Sequence, residues 1–282
     1  MKKIGFIDYY LDEWHANQYP KMIHEISEGR MEVAYAYGEI DAPSGRTNAQ
    51  WAKEMNITLL ESAEEVIEKS DYIIILSPNN PERHPELCKI AESCKKPVYI
   101  DKTFAETADA ALSIFKGYDI GGTPCWSASA LAFSDELAEC RRDGITAINS
   151  IGSGFVQTYC IHQIEPIVQL MGTEAESVTY FGHEIYPTFE IRFAENRIAR
   201  FTQCPGTKFS MQIAYSDGNY HNFTVQSPFF NRLIEKLVLF FETGEIPVPH
   251  AQTVAVMAIR AACFEAMETP FSPVKIQSGG AK

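Results

Sequence analysis

One stretch, residues 70–107, constrains the fold more than any other. Tyr72 to Leu76 is an uninterrupted apolar run rich in isoleucine. Without alternation, a strand here is buried on both faces, as in a parallel sheet. Ser77, Pro78, Asn79, Asn80 and Pro81 then stop it, because proline and asparagine favour turns. Glu86 to Cys94 predicts a helix, Lys96 and Pro97 end it, and Val98 to Ile100 form a second short apolar run. Parallel strands need such a crossover, so the unit is β-α-β. Ser77, Asn79, His84, Asp101, Lys102 and Thr103 therefore collect at the carboxyl ends of its strands. Open α/β sheets bind their ligands there.

The flanking chain repeats the alternation. Lys3–Asp8 and Glu32–Tyr37 are strand-like, and His15–Glu28, Ala49–Met55 and Thr107–Lys116 are helical. Ser62 and Glu65 form a capping box at the start of a helix that runs to about Lys69. A Rossmann-like, doubly wound and mostly parallel sheet is expected over residues 1–120. Near Gly121–Pro124 the pattern changes. Ser134 caps a helix to about Arg142. Four strand candidates follow with one helix among them: Ile145–Ser153, Ser177–Glu184, Thr188–Cys204 and Phe209–Gln226, the last folded at Ser216–Asn219. Strands in succession imply a largely antiparallel sheet, so residues 121–282 are expected to be an α+β domain. Phe229–Thr243 and Thr253–Met267 are closing helices, and Gly279–Lys282 reads as a frayed tail.

A net charge of -13 argues against nucleic acid or an anionic membrane as partner. No apolar run approaches the ~20 residues that span a bilayer. Met1–Asp8 reads as a strand rather than a signal peptide. The seven cysteines contain no CxxC pair, which points to reduced core thiols in a cytoplasmic protein. No His, Asp or Glu spacing predicts a metal site.

Two segments carry candidate chemistry. Dinucleotide folds follow their first strand with Gly-x-Gly-x-x-Gly, so that backbone N–H groups reach a pyrophosphate. Here that turn lacks the glycines and carries Asp8, Asp12 and Glu13. It is either a modified cofactor turn, with Asp8 as a contact, or a turn that no longer binds a dinucleotide well. After the second strand, Glu39 is the candidate for an adenosine ribose, or else a solvated loop charge, and Arg46 is placed to face a 2′-phosphate. In Phe155–Met171, helical spacing puts Thr158, His162, Glu165 and Gln169 on one stripe and Ile161, Ile164, Val168 and Met171 on another, with a kink or break at Pro166.

Ser77-Pro78, His84, Lys96-Pro97-Val98 and Asp101-Lys102-Thr103, in that order, resemble the Gfo/Idh/MocA family of sugar and polyol dehydrogenases. Ile161-His162-Gln163-Ile164-Glu165 with Leu170-Met171-Gly172 resembles that family's His-bearing helix, and Phe241–Pro247 with the helix after it resembles its closing segment. The resemblance implies NAD or NADP as cofactor and hydride transfer between the nicotinamide and a hydroxyl-bearing carbon. It makes Lys102 and His162 catalytic, with Tyr159 and Glu165 on a sugar or polyol substrate. A cofactor-dependent site is expected in a cleft between domains, so both side chains are expected to face one shared pocket. Ser77, Asn79 and His84 are turn and cap residues that line the nicotinamide pocket on the cofactor-binding reading. A homo-oligomer is implied as well. Thr158 stands where the family often has Asp. With the missing glycines it supports the alternative, a non-catalytic ligand-binding or regulatory relative that has lost the dinucleotide.

Overall fold

The computed structural model describes residues 1–140, 143–183, 185–277 and 279. The chain forms two compact units. The first comprises Met1–Ala105, Ser113–Ser127 and Asn231–Pro249; the second comprises Glu106–Leu112, Ala128–Phe230 and His250–Lys282.

The first unit is built on β1 (Lys2–Asp8), α1 (Trp14–Ile26), β2 (Met31–Gly38), α2 (Asn48–Met55), β3 (Thr58–Leu59), α3 (Ala63–Lys69), β4 (Tyr72–Ile75), α4 (His84–Ala91) and β5 (Val98–Ile100). It also takes most of α5 (Ala108–Gly121), and β6 (Cys125–Trp126). The strands pair in parallel in the order β3-β2-β1-β4-β5-β6, the doubly wound arrangement. Ile73, Ile74 and Ile75 of β4 are fully buried, as a two-sided strand requires. Gly5 lets α3 lie close on β1: a Cβ there would come within 2.3 Å of Val66 and 2.4 Å of Ser70. Ser62 caps α3 by accepting from the Glu65 N–H, and Thr47 and Gln50 form a full capping box on α2. β3 and β6, at two residues each, are too short to read from periodicity. Most of the later helix α9 (Phe229–Thr243) belongs here too, with Phe241 stacked on Tyr72 at 4.6 Å between centroids.

The second unit carries α6 (Asp135–Glu139), β7 (Ile145–Gly152), α7 (Val156–Tyr159), α8 (Ile161–Met171), β8 (Ala175–Tyr180) and β9 (Thr188–Phe193). Then come β10 (Arg197–Gln203), β11 (Ser210–Tyr215), β12 (Tyr220–Thr224), α10 (His250–Glu268) and β13 (Pro273–Lys275). Its sheet runs β12-β11-β7-β10-β9-β8-β13. Every pairing is antiparallel except β7 with β10. α8 packs on β7 and β10, and α10 packs on α8 and β8. The single strand expected over Thr188–Cys204 is broken by a tight turn at Ala194–Asn196, where Glu195 takes a left-handed φ of 61°. The expected helix end at Arg142, the strand end at Glu184 and the tail from Gly280 to Lys282 lie outside the described residues.

Residues 155–171 correct one expectation. The helix breaks at Cys160, and Pro166 sits inside α8. On the polar stripe, Glu165 is buried. Its carboxylate accepts from the Ser129 N–H at 2.6 Å. Neighbouring Gln163 is buried too and bonds to Ser150 Oγ at 2.7 Å. Tertiary partners, invisible to helical spacing, satisfy both side chains.

Candidate active site

The sheet order reverses between β1 and β4, and the turns after both strands lie in the first unit. Asp8, the last residue of β1, is buried, and its Oδ1 accepts from the Tyr9 N–H at 2.7 Å. The backbone N–H groups of Tyr10 and Ser77 lie near the same carboxyl and favour its ionised form. Burial, then the Glu13 charge, raises the Asp8 pKa well above the usual carboxylate range. Asp8 Oδ2 is buried without a hydrogen-bond partner among the described residues. Burial, then the Asp8 charge, raises the Tyr10 pKa, and the nearby Asn79 side chain opposes the rise.

Glu13 caps α1. It accepts from the His15 N–H at 2.7 Å and from the Ala16 N–H, and His15 Nδ1 lies 2.9 Å from the same carboxylate. On the other side of the ring, His15 Nε2 lies 3.7 Å from Asp101. Tyr99 and Tyr19 donate to Asp101 from 3.0 and 3.4 Å. Lys102 follows at the end of β5, 9% exposed, with Nζ 3.5 Å from the Pro78 carbonyl. Burial lowers its pKa, while Asp101 and Glu13 pull the other way. The Lys102–Thr103 peptide is cis.

The remaining candidates of this unit hold the chain together. The Arg83 guanidinium clasps the Glu39 carboxylate at 3.0 to 3.1 Å and lies 5.3 Å over the Tyr9 ring. Arg46 is bound to Asp12, Asn17 and Glu54, and its hydrogen bonds hold the Asp12 pKa down to about 2. His84 is fully buried, with its ring nitrogens on the carbonyls of Phe104 and Leu76. Ser77 donates to the Asn80 carbonyl.

This donor set does not fit a diphosphate in the pose that dinucleotide folds use. The N–H groups of His15 and Ala16 are already taken by Glu13. Two acidic side chains crowd the turn. No residue from Tyr9 to Glu13, all of them described, takes the positive φ that a glycine-rich turn supplies.

The second unit places His162 on the first turn of α8, half-buried. Its Nδ1 lies 2.7 Å from Ser129 Oγ. Ser129 also binds through its N–H to Glu165, so one buried residue ties both polar groups of the helix. Sequence reasoning missed Ser129, which no motif marks. The Tyr159 ring meets His162 edge-on at 5.2 Å and is 42% exposed. Gly154, at φ 86°, allows this turn, since a Cβ there would fall 2.2 Å from the Tyr159 ring. Leu131, Pro166, Phe209, Met211 and Val225 line a small apolar hollow beside His162.

Among the described residues no group of three or more His, Cys, Asp or Glu could hold a metal ion, and no helix is long and apolar enough to cross a membrane. No family model and no curated protein matches the chain. Solved structures do. GenD2 from gentamicin A biosynthesis, in complex with NAD, superposes with a TM-score of 0.79 at 10% identity, over 98% of this chain and 97% of that one. Scyllo-inositol dehydrogenase from Lactobacillus casei, with NAD(H) and scyllo-inositol, gives 0.78 at 12%, over 97% and 98%. Myo-inositol 2-dehydrogenase from Lactobacillus plantarum gives 0.77 at 14%, over 98% and 99%. The fold is that of the Gfo/Idh/MocA-type dehydrogenases. Within this Gfo/Idh/MocA-type fold, Lys102 stands at a strand end of the parallel sheet and His162 on a helix of the mixed-sheet unit.

Proposed function

We propose that this chain is an oxidoreductase acting on a hydroxyl-bearing carbon of a sugar, polyol or related small metabolite. The superposition of nearly the whole chain on inositol dehydrogenases carries the reading. Lys102 and His162 are the residues assigned to the reacting hydroxyl. Burial favours the neutral amine of Lys102, so its protonated form is a strong donor to a developing alkoxide. In the tautomer whose Nδ1 donates to Ser129 Oγ, His162 Nε2 is the basic nitrogen and takes the hydroxyl proton. Tyr159 contacts substrate hydroxyls, and Glu165 acts through the Ser129 N–H.

NAD and NADP are the cofactors to test, since GenD2 and the Lactobacillus casei enzyme are in complex with NAD or NAD(H). The acidic turn at Asp8 and Glu13 favours a second reading, a ligand-binding relative without a dinucleotide. Nicotinamide absorbance, followed over a panel of inositols and sugars with NAD and NADP, separates the two. Turnover that falls in Lys102→Ala and His162→Ala is the expected result. Binding of a polyol by calorimetry with no turnover on any panel member selects the second reading.

A further inference from the structure

We propose that Glu13 is a built-in occupant of the anion site at the N-terminus of α1, standing where dinucleotide folds hold a diphosphate. Three independent observations carry this. First, the Glu13 carboxylate takes the N–H groups of His15 and Ala16 at the first turn of a 13-residue helix. Helix N-termini attract anions through these unpaired donors and the helix dipole. A donor already bonded inside the protein is not available to a phosphate oxygen.

Second, the surroundings disfavour a further negative charge. Asp8 is buried next to Glu13, its Oδ2 has no partner among the described residues, and burial with the Glu13 charge already works against its ionisation. A diphosphate placed here would meet the same burial and the same weakly screened charge. Third, the backbone lacks the shape. Residues 9–13 contain no glycine and no positive φ, so their N–H groups do not converge on a bound oxyanion. The one glycine of β1, Gly5, serves α3 packing instead.

The carboxylate does for α1 what a bound phosphate does for its counterpart helix: it satisfies the donors and opposes the dipole. The first helix is therefore complete without a ligand, and the turn does not hold NAD or NADP by its diphosphate. This goes beyond the proposed function, which it neither requires nor excludes. Polyol oxidation tests that function, whereas a diphosphate probe reports on the turn alone, so either can fail without the other.

Calorimetric titration of the full chain with inorganic pyrophosphate and with ADP is the test, on wild type and on Glu13→Gly. Glycine is tolerated at a helix N-cap and leaves the His15 and Ala16 N–H groups without a side-chain acceptor. The wild type is expected to show no saturable binding below millimolar probe, and Glu13→Gly to gain at least tenfold in affinity for both. Micromolar binding of ADP to the wild type, weakened by the substitution, overturns the proposal. So does a folded Glu13→Gly protein, checked by circular dichroism, that gains nothing. If that variant does not fold, Glu13→Ala likewise removes the charge and frees both donors. Gain of pyrophosphate binding there supports the proposal, and its absence overturns it.

Discussion

The two polar regions of this molecule differ in how much of themselves they use up. At the carboxyl end of the parallel sheet, Asp8, Glu13, His15, Asp101, Tyr19 and Tyr99 are bonded mainly to one another and to the backbone. Around α8, one residue, Ser129, braces the buried Glu165 and the half-buried His162, which stands beside an exposed tyrosine. The first region is buried and acidic. The second is apolar around one imidazole. A fold can thus be kept while one ligand site is filled from within and another is left presentable, because fold depends on the sheet and core, and binding depends on which donors remain.

Removing the two assigned groups strains this contrast most. Lys102→Ala and His162→Ala are each expected to lower turnover by roughly 10²–10⁴-fold, read from steady-state rates, with unchanged circular dichroism. If only one of them matters, the chemistry belongs to one region alone. Next, Gly5→Ala should destabilise the parallel-sheet unit by about 1–3 kcal/mol, because its Cβ overlaps Val66 and Ser70. Denaturant unfolding measures this, and an unchanged midpoint would mean that α3 moves aside freely.

A smaller effect is expected at Ser129. Ser129→Ala removes one hydrogen bond to His162, worth about 1 kcal/mol or roughly a factor of five in rate. A displaced pH–rate profile, beyond a uniform loss, would mark Ser129 as a positioning residue. The smallest change is expected at Asp8→Asn. The folded pKa of Asp8 is raised, so between the ordinary 3.8 and that higher value the folded chain holds the extra proton. Stability from this group is therefore present below pH 3.8 and lost as pH rises through the folded value. Asparagine keeps the acceptor without the charge. Melting temperatures across pH should show the variant gaining on wild type as pH rises, and a gap that shrinks with pH would contradict the burial argument.

The sequence by itself determined much of this protein. The all-apolar run at Tyr72–Leu76 required a strand buried on both faces, and the spacing of helices between such runs required parallel neighbours. The motifs from Ser77 to Thr103 and around His162 were enough to mark the dehydrogenase fold. The missing glycines before α1 were equally plain. These features are local, so pattern alone carries them. Only the tertiary structure decided the rest. It buried Glu165 on the Ser129 N–H and paired Glu39 with Arg83 and Arg46 with Asp12, partners that lie 34 to 44 residues apart. It set β7 parallel to β10 within an otherwise antiparallel sheet. It also turned Glu13 from one acidic residue among three into the cap that fills its own helix terminus. Whether a side chain is a ligand contact or a brace depends on which donors reach it, and long-range folding fixes those donors.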